Sequence, residues 1–132
     1  MSPEEINQNL FPFAKLLGIR VTKTDPDLIE AELMVGEDLC TSGQILHGGA
    51  VMAFADTVGA IATFVNLPAD AKGTTTMESK TNFFRASLCG SKIVSRTTPL
   101  HRGRTTHVWQ THIETEEGKS VAVVTQTQMI MK

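Results

Sequence analysis

The longest apolar stretch of the sequence runs from Ile45 to Asn66 and contains a single charged residue, Asp56. Its apolar residues fall on nearly every side of a helix with ~3.6 residues per turn, which is typical of a helix enclosed by protein. The helix is predicted to begin at His47-Gly48-Gly49. We expect it to end near Asn66, because Pro68 follows and a proline disfavours helix in the residue before it.

Two weaker patterns precede this central helix. Ser2 and Glu5 have the spacing of a helix capping box, which predicts a short helix ending at Gly18. Its apolar positions are Ile6, Leu10, Phe13, Leu16 and Leu17. Between Ile19 and Val35, apolar and polar residues alternate in two pieces on either side of Pro26, which predicts a β-hairpin with one buried face.

Segments rich in threonine and valine follow the central helix. They are Thr74–Phe84, Ser91–Thr98, Arg104–Thr115 and Ser120–Met131. Their composition suits strands, and the short turns between them suit antiparallel hairpins. Together with the first hairpin they predict an α+β fold in one domain over residues 1–132, an antiparallel sheet of five or six strands wrapped around one long central helix.

A single helix leaves the other face of such a sheet uncovered. In the third of these segments, residues of mixed polarity alternate between the two faces: Trp109, Thr111 and Ile113 against Val108, Gln110 and His112. A mixed face of this kind usually becomes an oligomer interface. We therefore expect at least a homodimer, most simply with two-fold symmetry.

Composition and charge exclude several classes of function. The chain has 12 Lys and Arg residues and 14 Asp and Glu residues, a net charge of −2, which argues against nucleic acid as a partner. The acidic N-terminus lacks the apolar core of a signal peptide, and the central helix is short for a membrane span. We therefore expect a cytoplasmic protein with no membrane partner and with Cys40 and Cys89 as free thiols. The four histidines lack zinc-ligand spacing, so no metal site is expected.

Two residues of the central helix, Gly48 and Asp56, are candidates for a chemical role. The first amides of a helix have no acceptor within it and lie at the positive end of its dipole, so Gly48 is suited to hold an oxyanion or a carbonyl oxygen. Asp56 needs a partner, a proton or a chemical task, because a bare carboxylate among aliphatic side chains is costly.

The spacing of these two residues bears on the assembly. Gly48 and Asp56 are eight residues apart, which is about 12 Å along a helix. One carbonyl group can hardly touch both. If two copies of the helix pack antiparallel across a dimer axis, the glycine end of one lies near Asp56 of the other, and the predicted site is composite.

The motifs resemble a known family. In the order and spacing of hotdog-fold acyl-CoA thioesterases, the chain carries His47-Gly48-Gly49, Ala55-Asp56, Thr81–Ala86 and His101–Arg104. It looks most like the phenylacetate-pathway and 4-hydroxybenzoyl-CoA type of thioesterase, from about Phe13 to Met131. The resemblance implies hydrolysis of acyl-CoA to free acid and CoA at subunit interfaces of a dimer or a dimer of dimers. No cofactor is implied, since the CoA moiety is part of the substrate.

The resemblance also implies roles for single residues. By position, the Gly48 amide would polarise the thioester carbonyl, and Asp56 would be the nucleophile or the general base for water. His47 would shape the turn or cap the helix, with acid–base work as the alternative, and Gly49 completes the turn. Family members commonly carry Asn or Gln six residues before the histidine, where this chain has Thr41.

Other family positions are occupied by hydroxyl, basic and aromatic residues. Near the position of a water-orienting hydroxyl the chain has three consecutive threonines, and Thr74 or Thr76 is the predicted residue. In relatives the Asn or Gln at the Thr41 position assists the carbonyl or the water. Gln44 is the alternative residue for that role. Guanidinium groups bind phosphate oxygens bidentately, so the candidates for CoA recognition are Arg85, Arg102 and Arg104. The acyl pocket is predicted to be lined by Phe54, Val58 and Phe83.

The sequence is also compatible with other functions. Asp56 could be a structural acid, hydrogen-bonded to the backbone or to a threonine. A non-catalytic acyl-CoA sensor would keep the fold and the phosphate contacts without needing Asp56. A hotdog dehydratase or hydratase would have a different arrangement of a histidine and an acid, which is not found in this sequence. A purely structural oligomer would not explain the combination of Gly48-Gly49 with Asp56. The sequence does not decide whether the acyl group is aromatic or medium-chain. It also does not decide between a CoA thioester and an acyl-carrier-protein thioester.

Overall fold

The computed structural model describes all residues from Met1 to Lys132. It contains three α-helices, α1 (Pro3–Gln8), α2 (Pro12–Leu17) and α3 (Gly48–Val65), and a 3₁₀ turn at Glu37–Leu39. The strands are β1 (Arg20–Asp25), β2 (Leu28–Met34), β3 (Gly73–Phe83), β4 (Lys92–Arg102), β5 (Thr106–Thr115) and β6 (Ser120–Met131).

The N-terminal helix predicted as one element is two helices, α1 and α2. Pro12 opens α2 at its first position and disfavours helical geometry in Phe11, which therefore adopts an extended conformation (φ −68°, ψ 160°). The predicted ends are correct. Ser2 accepts a hydrogen bond from the Glu5 amide at 3.2 Å, and Gly18 ends α2 in the left-handed conformation at φ 81°.

The strands form one antiparallel sheet of six, in the order β1-β2-β4-β5-β6-β3. Strand β4 extends beyond the predicted Thr98 to Arg102, because an irregularity between Pro99 and His101 lets the ladder to β5 continue past a residue without an amide hydrogen. A second irregularity lies in β3 between Thr76 and Glu78. Strands β1 and β3 are the edges of the sheet.

The concave face of the sheet packs on α3 and forms the core. Phe54, Val58 and Ala62 of the helix are fully buried, as are Ile93 and Trp109 of the sheet. The Trp109 indole donates to the Thr63 hydroxyl at 2.7 Å, which ties the sheet to the end of the helix. Trp109, Thr111 and Ile113 therefore face the core, and Val108, Gln110 and His112 lie partly exposed on the other face.

Helix α3 is not enclosed on all sides as the apolar pattern predicted. One stripe along it is left uncovered, with Met52 41% and Phe64 51% exposed. Asp56 and Ala60 lie between them, partly buried. By length and composition alone, the helix is long and apolar enough to cross a membrane, and half of it is buried inside the fold.

Candidate active site

The first turn of α3 leaves one amide free. The His47 ring caps the helix, because its Nδ1 accepts from the Gly49 amide at 2.7 Å. The His47 carbonyl accepts from the amides of Ala50 at 2.9 Å and Val51 at 3.3 Å. The Gly48 N–H alone among these four has no acceptor in the chain. A single donor at the positive end of an 18-residue helix is therefore available to a ligand.

The loop before α3 is held by its own hydrogen bonds. Thr41, which stands where relatives carry an amide side chain, accepts from the Gly43 amide through its hydroxyl at 3.3 Å. Gln44 has a positive φ of 62°, and its carbonyl accepts from the Cys89 amide at 2.9 Å. The backbone of Leu46 donates to the Ser87 carbonyl at 2.8 Å. These contacts place Gly48 beside the segment that follows β3.

A cavity of about 300 Å³ opens beside the free amide. It is lined by Gly48, Phe83, Arg85 and Ser87, among others. Phe83 is 52% exposed, and a Cβ added at Gly48 would lie 3.3 Å from its Cζ. The Ser87 hydroxyl is buried without a hydrogen-bond partner. The residue with the free amide, an aromatic residue and an arginine thus line one small volume.

Asp56 receives a hydrogen bond from a threonine of β3. The Thr76 hydroxyl lies 2.5 Å from Oδ1 of Asp56, and Oδ2 has no hydrogen-bond partner in the chain. Of the two predicted threonines, Thr76 is the one that contacts Asp56. Thr74 lies one pleat further along, where its hydroxyl is 2.9 Å from both Oε1 of Gln128 and the Met129 carbonyl.

One protomer does not bring the two reactive groups together. Gly48 is the first residue of α3 and Asp56 is the ninth, a separation of about 12 Å along the axis. Asp56 lies on the uncovered stripe of the helix, between Met52 and Phe64, and is partly exposed at the surface of the protomer.

Arg102 has a different position from the one predicted. Its guanidinium pairs with Asp27 at 2.6 Å and also donates to the Pro26 carbonyl at 3.0 Å and to Oδ1 of Asn66 at 3.2 Å. Because three acceptors in the chain take up its donors, Arg102 joins β4 to the β1–β2 turn and to the end of α3. Within the protomer Arg102 therefore has a structural role, and these contacts do not support its assignment to CoA phosphates.

The remaining predicted binding residues divide by exposure. Arg85 and Arg104 are exposed and form no ion pair in the chain. Arg85 lines the pocket at Gly48. Phe54 is 0% exposed and packs in the core, as does Val58. Their assignment to the acyl pocket is therefore corrected, because both face the sheet rather than a cavity.

Two titratable side chains near these elements have shifted pKa values. Partial burial and the neighbouring Cys89 thiol raise the pKa of the Cys40 thiol, which is unfavourable for a nucleophile; both cysteines are free.

His107 is 3% exposed and its Nδ1 has no hydrogen-bond partner. Burial, helped by Arg102 and His101, lowers the pKa of His107, so this ring is neutral at pH 7.

Sequence comparison adds the family. Residues 43–122 match the thioesterase superfamily. The chain belongs to this superfamily. The thioesterase is 32% identical over 103 residues to the proofreading thioesterase EntH of Cronobacter turicensis, an alignment that covers 78% of this chain and 74% of EntH. The relationship confirms the predicted thioesterase family and supports thioester hydrolysis as its general activity.

Solved structures confirm the hotdog fold of this thioesterase. Thioesterase HI1161 from Haemophilus influenzae superposes with a TM-score of 0.92 at 31% identity, over 100% of this chain and 92% of that one. The PaaI protein from the phenylacetic acid degradation operon of E. coli superposes with a TM-score of 0.87 at 21% identity, over 98% of this chain and 91% of PaaI. The latter shows a likeness of fold.

Sequence reasoning missed two residues that the structure brings to Asp56. Gln126 and Gln128 on β6 are 1% and 0% exposed and are joined by hydrogen bonds to Thr76. The signal was present in their alternation with the buried Val124 and Ile130, which places two glutamines on the core face of a strand. Buried polar side chains on such a face need partners, and here they lead toward Asp56.

Proposed function

We propose that this thioesterase hydrolyses acyl-CoA thioesters to a free acid and CoA, at a composite site formed by two subunits. The observation that carries the proposal is the unpaired N–H of Gly48 at the start of α3. An amide donor in that place suits the carbonyl oxygen of a thioester and stabilises it further when it becomes an oxyanion.

Asp56 supplies the second function. With Oδ1 held by the Thr76 hydroxyl, Oδ2 is available to act on water or on the carbonyl carbon. As general base, Asp56 takes a proton from water as the water oxygen attacks the carbonyl carbon. The C–S bond then breaks, and CoA leaves as a thiolate that takes up a proton. As nucleophile, Asp56 forms an anhydride that water opens. Both routes use only the substrate, water and groups of the chain.

The composite site rests on the uncovered surfaces of the protomer. Strand β3 is an edge strand of 11 residues, and the stripe of α3 with Met52, Asp56 and Phe64 runs next to it. A long open edge with apolar neighbours is a favourable surface for pairing with a second strand. We propose a homodimer in which two copies of this surface meet around a two-fold axis, with Gly48 of one subunit near Asp56 of the other.

Two cavities support the proposed substrate class. Arg85 at the Gly48 pocket is free to bind phosphate oxygens of CoA, and Arg104 is a second free cation. On the other side of Asp56, a largely apolar groove of about 580 Å³ runs between α1 and α3, lined by Ile6, Leu10, Phe11, Ala60, Ile61 and Phe64. We propose that it takes an aromatic or medium-chain acyl group.

The experiment that tests the function is a hydrolysis screen. Purified protein is incubated with aryl-, phenylacetyl- and straight-chain acyl-CoAs, and free thiol is measured, with Asp56→Asn in parallel. Turnover that disappears in the variant is the expected result and names the acyl class. Binding without turnover across the whole panel would contradict the proposal in favour of an acyl-CoA sensor.

We also propose a cytoplasmic location, where acyl-CoA is available.

A further inference from the structure

A continuous chain of buried hydrogen bonds runs from β6 to Asp56. Nε2 of Gln126 donates to the Ala55 carbonyl at 2.8 Å. Nε2 of Gln128 donates to Oε1 of Gln126 at 2.6 Å and to the Thr76 hydroxyl at 2.7 Å. The Thr76 hydroxyl donates in turn to Oδ1 of Asp56 at 2.5 Å. The path thus begins at the residue before Asp56 and ends on the carboxylate.

The direction of every link is set by the first one. A backbone carbonyl only accepts, so Gln126 must present its NH₂ group to Ala55 and its oxygen to Gln128. Gln128 must then present its NH₂ group to both Gln126 and Thr76. The Thr76 oxygen accepts that bond, which leaves its single hydrogen for Asp56. On its other side, Oε1 of Gln128 accepts from the Thr74 hydroxyl at 2.9 Å.

The surrounding fold is shaped to hold these side chains. Gln126 lies against Gly59 of α3, where an added Cβ would be 1.9 Å from Nε2 and 2.3 Å from Cδ of Gln126. Thr76 immediately precedes the irregularity in β3. Before it, Thr74 and Thr76 point toward the core; after it, the next residue to do so is Ser79, three positions on. Apolar side chains would fill this space without the desolvation cost of two buried amides. The amides therefore indicate a role beyond packing.

We propose that Gln128 is a positioning residue for the Asp56 carboxylate, acting through the Thr76 hydroxyl, with Gln126 setting its orientation. The proposal rests on the proposed function, in which Asp56 acts on the thioester. Gln128 directs the Thr76 hydrogen to Oδ1 of Asp56. Oδ1 is thereby occupied, the carboxylate rotation is restricted, and Oδ2 faces the substrate.

The test is a double-mutant cycle on turnover, with the acyl-CoA that the wild type hydrolyses best. Gln128→Leu, Thr76→Val and the double variant are compared for kcat and KM. We expect Gln128→Leu to lower kcat about tenfold with KM unchanged, the size expected for the loss of one buried hydrogen bond. The double variant should have the kcat of Thr76→Val alone, because Gln128 acts only through that hydroxyl. Effects that multiply, or a kcat of Gln128→Leu equal to wild type, would overturn the proposal.

A matched control separates positioning from stability. Thr97 and Thr111 are both 0% exposed and share a hydrogen bond of 2.7 Å within the same sheet. Thr111→Val should lower the melting temperature and leave kcat unchanged. Thr76→Ser keeps a hydroxyl and should retain most of the kcat that Thr76→Val loses.

A second variant covers the case in which Gln128→Leu does not fold. Gly59→Ala displaces the Gln126 amide without altering any member of the network, and it should also lower kcat while KM is kept. An unchanged kcat in folded Gly59→Ala overturns the proposal. Asp56→Asn separates the two hypotheses. If it keeps turnover, the proposed function fails; if it loses turnover while Gln128→Leu does not, only the positioning role fails.

Discussion

The Thr76 hydroxyl and the Asp56 carboxylate are joined by a hydrogen bond of 2.5 Å between the edge strand β3 and helix α3. In Asp56→Asn the side-chain oxygen can still accept this bond, so fold and assembly should be retained. Turnover should fall by about 10²-fold or more, because the amide is neither a base nor a nucleophile. Steady-state kinetics and the melting temperature check this. Glu117→Gln, at an exposed turn, is the control and should match wild type.

Gly48→Pro removes the free amide hydrogen at a position that tolerates proline. Residue 48 is the first of α3, where proline is favoured, and His47 has φ −65° and ψ 137°, which suits a residue before proline. We expect kcat to fall about 10²-fold, as for loss of an oxyanion donor. Gly48→Ala keeps the N–H and adds the same Cβ against the half-exposed Phe83 ring, and it should retain most activity. Equal losses in both variants would contradict a role for the amide.

Subunit complementation tests the composite site. Gly48→Pro and Asp56→Asn chains carrying different tags are co-expressed, and the mixed dimer is purified through both tags. One of its two sites then has a native Gly48 and a native Asp56, so about half of the wild-type activity should return. Each variant alone should be inactive. If each site belonged to one subunit, the mixed dimer would be as inactive as its parents.

The arginines should separate into substrate-binding and structural residues. Arg85→Ala should raise KM for acyl-CoA more than for short thioesters that lack the nucleotide, because only the former carry phosphates. Arg104→Ala should act in the same direction. Arg102→Ala should instead lower the free energy of unfolding by about 1 kcal/mol, through loss of its contacts to Asp27 and neighbours, with KM unchanged. A similar KM effect on both thioester types would argue against phosphate contact.

His107 should make the stability depend on pH. Burial, together with Arg102 and His101, lowers its pKa in the folded state below the ordinary value of 6.5. The unfolded chain therefore binds more protons as the pH falls through 6.5, and stability is lost below that pH and is fully present above it. The melting temperature should fall more steeply from pH 7 to about pH 5 in wild type than in His107→Gln, which cannot titrate. Parallel curves would contradict this account.

Local sequence determined the elements that carry the site. The start of α3 at His47-Gly48-Gly49 and the solitary charge of Asp56 follow from spacing within one helix. The alternation around Pro26 predicts the β1–β2 hairpin in the same way. These features depend on neighbours in the chain, so a local pattern is sufficient to show them. The choice of Thr74 or Thr76 came instead from the resemblance to hotdog thioesterases, which did not reduce it to one residue.

Tertiary structure decided the contacts between distant segments. Thr76 of β3 meets Asp56 of α3 across the core, and the register of β3 with β6 brings Gln128 opposite Thr76. Arg102 meets Asp27 because β4 runs past Pro99, and Phe54 is enclosed by a sheet that closes around it. Strand register is set by the packing of the whole sheet, and a shift of one residue would turn strand side chains such as Thr76 and Gln128 to the opposite face. No local pattern contains that information, because it arises only when all six strands are assembled.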